Sequence, residues 1–178
     1  GNEGMKAIGR IAMLEELNLS RTKISATGLS HLTALKGLRR LDLQETHVGG
    51  DALVLLAELP KLQGLKLSSR SLNDSAIPHV AKLPNLEQLS LGARFGAELT
   101  DNGLQPLVGL RKLKSLSIHS SHVDGSFLGH LGGLPELEEL DLLGCPINDA
   151  ALDHLKQFPK LRSIDLRKTN VTDAGLRR

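Results

Sequence analysis

Seven histidines, one cysteine and a scatter of serines and carboxylates are the groups in this 178-residue chain able to bind a metal or move a proton. His119, His122 and Asp124 have roughly the spacing of zinc ligands. Ser117 and His119 would supply the hydroxyl and the base of a nucleophilic pair. Glu139, Asp141 and Asp165 are carboxylates that a calcium ion or a basic partner residue could take. Cys145 is the only thiol, so no internal disulfide is available and the redox compartment is left open. Arg94 and Phe95 are of the types enriched among interface anchors. Whether any of these sets meets depends on the backbone that carries them.

That backbone repeats. The chain stacks at a period of 24 residues from Leu14, Leu38, Leu62, Leu86, Leu113, Leu137 and Leu161. Each register opens with LxxLxL or a close variant, as in Leu14, Leu17, Leu19 and Leu113, Leu116, Ile118. The alternation predicts a short strand with one apolar face. Five residues on stands another apolar residue, Ile24, Val48, Leu72, Val123, Ile147 or Val171. A turn then carries Ser25, Asn73, Thr100, Asp124, Asn148 or Thr172, side chains that cap helix N-termini. Apolar residues then recur every three positions, for example Leu104, Leu107 and Leu110, which suits one or two turns of α- or 3₁₀-helix. Pro60, Pro84, Pro135 and Pro159 stop the helices before the next strand.

A single repeat cannot bury both its strand face and its helix stripe, so neighbouring repeats must stack. The expected fold is α/β: a right-handed solenoid with a parallel sheet on its concave side and short helices on its convex side. It forms one domain over residues 1–178, with a partial repeat at 1–13 and full registers from 14, 38, 62, 86, 113, 137 and 161, the last truncated. Both ends fall inside a repeat. The expectation is therefore a slice of a longer array whose apolar ends stack on another copy.

The same register weighs against most of the chemistry. His31, His79, His130 and His154 share one column and His47 and His122 another, so they are spread along the solenoid instead of gathered. Cys145 falls in the column after the strand, with Thr22, Thr46, Arg70, Ser121 and Thr169. Asp141 and Asp165 occupy one column in adjacent strands, close enough to Arg167 and Lys168 to be neutralised. Glu16 and Asp42 are expected to neighbour Arg40 and Lys66. Repeat four is three residues longer, and the extra length around Arg94 and Phe95 is expected to form a surface loop near Arg70, His119 and His122.

These residues resemble the leucine-rich repeat family, and the blocks Val171–Leu176 and Leu99–Leu104 resemble its cysteine-containing and bacterial short-repeat variants. The resemblance covers essentially the whole chain, and it implies a protein-binding role and, because the family tolerates Cys in the column after the strand, a buried structural thiol at Cys145. Composition adds exclusions. Twenty-two basic and 20 acidic residues are interspersed, which is no footprint for nucleic acid, and no run of apolar residues is long enough for a membrane helix. The expected function is a non-catalytic interaction module needing no metal or cofactor. It would bind another protein through Lys66, Arg70, Ser90, Arg94, Phe95, Ser117, His119, Asp141 and Asp165. The competing readings are a structural spacer or self-assembling segment of a larger bacterial repeat protein, and a hydrolase built on Ser117 and His119. The sequence leaves the compartment open.

Overall fold

The computed structural model describes residues 1–69, 72–93 and 98–177. Each LxxLxL segment is a strand: β1 (Glu16–Asn18), β2 (Arg40–Asp42), β3 (Gly64–Ser69), β4 (Gln88–Ala93), β5 (Ser115–His119), β6 (Glu139–Asp141) and β7 (Ser163–Asp165). The seven form one parallel sheet in chain order. Pairing advances by one repeat per strand, with Leu17 opposite Leu41, Leu41 opposite Leu65 and Leu65 opposite Leu89. The ladder stays in register beyond the long repeat, where Leu89 faces Leu116. The pairing of the described residues is therefore the same on both sides of the longer repeat.

One sheet face is the core. Leu41, Leu65, Leu89, Leu116 and Leu140 are at most 2% exposed and pack with the helical columns headed by Leu29, Leu53, Ile77, Leu104 and Leu128. Each fully buried leucine contributes roughly 1.5–3 kcal/mol. At the far end Ile164, in the same column, is 37% exposed because no further coil covers it among the described residues. The helical segments are short, and several change type along their length: α-helix over Ala26–Ser30 continues as 3₁₀ over His31–Ala34, and Gly50–Glu58 is 3₁₀ throughout. Apolar residues three apart line up on one face of a 3₁₀-helix, which explains the mixture.

Two kinds of coil alternate with the residue at the end of the short strand. In β1, β2, β6 and β7 that residue is Asn18, Asp42, Asp141 or Asp165. Its Oδ1 accepts the backbone N–H two residues on, at Ser20, Gln44, Leu143 and Arg167 respectively, at 2.8–3.0 Å. This Asx turn ends the strand after three residues. The chain then turns through a left-handed residue, Arg21 (φ 58°), Glu45 (φ 56°), Gly144 (φ 75°) or Lys168 (φ 58°). The next side chain folds inward: Thr22, Thr46 and Thr169 donate to the carbonyls of Leu19, Leu43 and Leu166 at 2.7–2.8 Å, and Cys145 Sγ donates to that of Ile118. In β3, β4 and β5 the corresponding residues are Lys66, Ser90 and Ser117, which make no such turn. These strands run on for six, six and five residues. In repeat five the continued alternation turns Ser120 inward, 4% exposed, where sequence reasoning placed Ser121.

Helix capping also departs from expectation. Of the expected caps, Thr100, Asp124 and Asn148 accept a hydrogen bond from the helix that follows, whereas Ser25, Asn73 and Thr172 do not. The carboxylate of the preceding coil does much of the work. Asp74 accepts from the N–H and the hydroxyl of Thr100 at 2.8 and 2.6 Å, and Asp149 does the same for Thr172. Asp101 accepts from the N–H groups of Asp124, Gly125 and Phe127 at 2.9–3.0 Å. Hydrogen bonds to a charged acceptor are stronger than neutral ones, so the arrangement ties successive coils together. It also explains the Thr-Asp-x-Gly-Leu blocks: a Cβ on Gly103 would lie 1.9 Å from Asp74 Oδ1, and one on Gly175 would lie 2.2 Å from Asp149 Oδ1.

The left-handed turn yields a paired prediction. Lys168 bears a Cβ where φ is positive, so Lys168→Gly is expected to stabilise the fold by about 0.5–1 kcal/mol in urea titration. Gly144→Ala, at a site where a Cβ would touch nothing within 4 Å, is expected to destabilise it by about 1 kcal/mol from backbone strain alone.

Candidate partner-binding face

The side chains between the strand leucines stand on the face of the sheet opposite the helices. Three columns run across it. The first is Glu16, Arg40, Gly64, Gln88, Ser115, Glu139 and Ser163, and the second is Asn18, Asp42, Lys66, Ser90, Ser117, Asp141 and Asp165. The third begins with Ser68, Gly92 and His119. The middle of the face is floored by small residues, Gly64, Ser90, Ser115 and Ser117, and a concavity of about 670 Å³ extends over them and over Glu16, Asn18, Arg40 and Asp42 of β1 and β2. Hollows of this size are typical of ligand sites.

Of the residues expected to bind a partner, Lys66, Ser90, Ser117, His119, Asp141 and Asp165 all lie on this face. Arg70, Arg94 and Phe95 lie outside the described residues. The two aspartates have a structural task that the sequence reading did not assign, since the Oδ1 of each makes its strand-ending turn. Their remaining oxygens are occupied as well. Asp141 Oδ2 accepts from Ser117 Oγ at 3.1 Å and lies 3.1 Å from His119 Nε2. Asp165 is held by Arg167, whose Nε donates at 3.0 Å. The expected neighbour pairs are also present: Arg40 donates to Glu16, and Asp42 faces Lys66 across the ladder.

Ser117, His119 and Asp141 contain the three residue types of a charge-stabilised nucleophile, but their geometry differs from a relay. A relay places the carboxylate on one imidazole nitrogen and the hydroxyl on the other. Here His119 Nε2 faces both Asp141 Oδ2 and, at 3.4 Å, Ser117 Oγ. The hydroxyl donates to the carboxylate instead of to the base, so the cluster orders the surface without activating the serine. The remaining histidines follow the repeat, and the His154 ring packs where a Cβ on Gly129 would approach it at 3.1 Å. No group of three His, Cys, Asp or Glu residues among those described is arranged to hold a metal ion. Cys145 is buried, with Ser120 N–H donating to its sulfur at 3.4 Å, and burial pushes the thiol above its ordinary pKa. A group so placed is a poor nucleophile.

Arg167, through hydrogen bonds first and charge second, holds Asp165 down to about 2 from an ordinary value of 3.8. A carboxylate with a depressed folded pKa stabilises the fold fully above its unfolded pKa and loses that contribution as pH falls through the folded value. Wild-type melting temperature is accordingly expected to exceed that of Arg167→Gln at pH 4 and above, the gap closing as pH approaches 2. A gap independent of pH would show that the pair is not coupled to folding.

The fold and the face can be set beside known proteins. A family model described as Leucine Rich repeat matches residues 11–35 and 159–177. Among solved structures, an internalin (inlF) from Listeria monocytogenes str. 4b F2365 superposes with a TM-score of 0.66 at 20% identity. The match takes in 97% of this chain and 50% of that one. TLR13, solved as a complex with ssRNA13, superposes with a TM-score of 0.54 at 24% identity, over 92% of this chain and 30% of that one. This chain thus spans half of the internalin chain or less than a third of the TLR13 chain, and the likeness is one of fold. No curated protein sequence matches it. With seven stacked coils, their LxxLxL strands and the matched segments in the first and last of them, the chain has the fold of a leucine-rich repeat solenoid.

Proposed function

We propose that the chain is a non-catalytic protein-binding module that engages its partner through the concave face, with β3, β4 and β5 at the centre of contact. Leucine-rich repeat domains are generally binding modules, and the two structural neighbours are leucine-rich repeat proteins. The observation that carries the reading is the hollow over Gly64, Ser90, Ser115 and Ser117. The three coils without an Asx turn present a taller face than the coils on either side, floored with small polar groups and bordered by charge. Such a surface is rigid because its backbone is fixed by the ladder, so little ordering entropy is lost on binding.

Charge favours a protein over a nucleic acid. The described residues of the face offer Glu16, Asp42, Glu139, Asp141 and Asp165 against Arg40, Lys66 and Arg167. A surface with more carboxylates than cations repels phosphate. The competing reading, a spacer or self-assembling segment, would draw on Ile11 and Met13 at one end and Ile164 and Leu176 at the other, all exposed.

The two readings part in one experiment. Ser90→Arg with Ser117→Arg fills the hollow with two long side chains on exposed faces of paired strands and leaves the leucine core untouched. Proteins retained from a lysate by the wild-type chain are expected to be lost with this variant and kept with a convex-side control, Lys156→Glu. Retention unchanged by the double substitution would overturn the concave-face reading.

A further inference from the structure

Every charged side chain described on the concave face except two has a partner. Glu16 is paired with Arg40, Asp42 with the Gln44 N–H, Asp141 with Ser117 and His119, and Asp165 with Arg167. Lys66 and Glu139, both exposed, make no hydrogen bond or ion pair among the described residues. Both line the hollow, Lys66 on β3 and Glu139 on β6, and beyond Lys66 it continues over β1 and β2 with the already engaged Glu16, Arg40 and Asp42. Between them Gln88, Ser90 and Ser115 present side-chain amide and hydroxyl groups that likewise bond to nothing else described. From β3 to β6 the floor is therefore a run of open neutral donors and acceptors that begins at an unpaired cation and ends at an unpaired anion.

The occupant that matches this order is an extended peptide lying across the strands. Its backbone N–H and C=O groups need partners along their whole length, which the amide and hydroxyls supply. Its charges must be opposite in sign to the two ends. Resting on the protein-binding reading above, we propose that the hollow recognises an extended peptide segment of the partner that places a carboxylate at Lys66 and a basic side chain at Glu139. The ladder fixes the spacing. Lys66 and Glu139 are three strands apart, about 14 Å at roughly 4.8 Å per strand. Glu139 also sits one row of the pleat earlier than Lys66, since Lys66 aligns through Ser90 and Ser117 with Asp141. That adds about 6.6 Å along the strand and makes the diagonal roughly 16 Å. An extended chain rising about 3.3 Å per residue covers this in about five residues. Asp141, although nearby, does not compete for the basic group, because both its oxygens are already engaged.

The test uses the whole chain and a defined set of fluorescent dodecapeptides of alternating Gly and Ser. Each carries one Glu and one Lys, separated by one to eight positions in both orders. Binding is read by anisotropy at low salt. The expected result is an affinity maximum at a separation of four to six, in one of the two orders. Lys66→Gln and Glu139→Gln should each weaken the best peptide by about three- to fivefold. The double exchange Lys66→Glu with Glu139→Lys should move the preference to the opposite order. Both positions are exposed, and unchanged melting curves would show that the variants fold. Affinity that ignores the separation, an order preference that survives the exchange, or no binding by any peptide overturns the proposal. If any of these occurs while the Ser90 and Ser117 double variant still loses its captured partner, the peptide assignment falls and the concave interface stands.

Discussion

No coil of this chain can bury its own leucines. A strand of three residues and a helical segment of one or two turns enclose too little volume. The inward face of Leu89 is therefore completed by Leu65 on one side and Leu116 on the other. Everything else in the structure follows from that dependence. Because each coil must seat on its neighbour, the strands must run parallel and in register. The helical columns must then recur at fixed distance, and any insertion must leave the ladder undisturbed. The long repeat obeys this rule, keeping Leu89 opposite Leu116 although 27 positions separate them. The cross-coil carboxylates Asp74, Asp101 and Asp149 add a polar version of the same dependence, each satisfying backbone donors in the coil that follows it.

Freedom to vary is left to the opposite face, and there the chain makes a choice at one column. Asn or Asp closes the strand with an Asx turn, while Lys66, Ser90 and Ser117 let it continue. Because the three open coils are consecutive, the sheet is taller at its middle and carries its small polar residues there. A single column thus both shapes the hollow and sets its chemistry. The flanking aspartates draw in His119 and Arg167 and become part of the scaffold. What is left unpaired at the centre defines what a partner must bring.

The leucine period made the strands, their order and their inward faces legible from sequence, since alternation within a repeat and identity between repeats point to the same residues. Lys66, Ser90, Ser117, His119, Asp141 and Asp165 were placed on one face for the same reason. Their roles were less legible. Asp141 and Asp165 read as candidate binding carboxylates, yet their spacing of two residues from the N–H groups they accept is a turn signal present in the sequence. The cross-coil capping needed knowledge of which coil lies beside which. Its only trace in the sequence is a glycine three positions after the capping residue, at Gly103 and Gly175. Ser120 was missed because the inward position shifts by one residue where a strand continues instead of turning.

The shared burial of leucines between coils is tested most directly by double-mutant cycles in urea unfolding. Leu89→Ala and Leu116→Ala lie in adjacent coils and should couple by about 0.5–3 kcal/mol. Leu41→Ala and Leu116→Ala, three coils apart, should be additive to within about 0.5 kcal/mol. Additivity for the adjacent pair, or equal coupling for both pairs, would contradict a core built from contacts between successive coils.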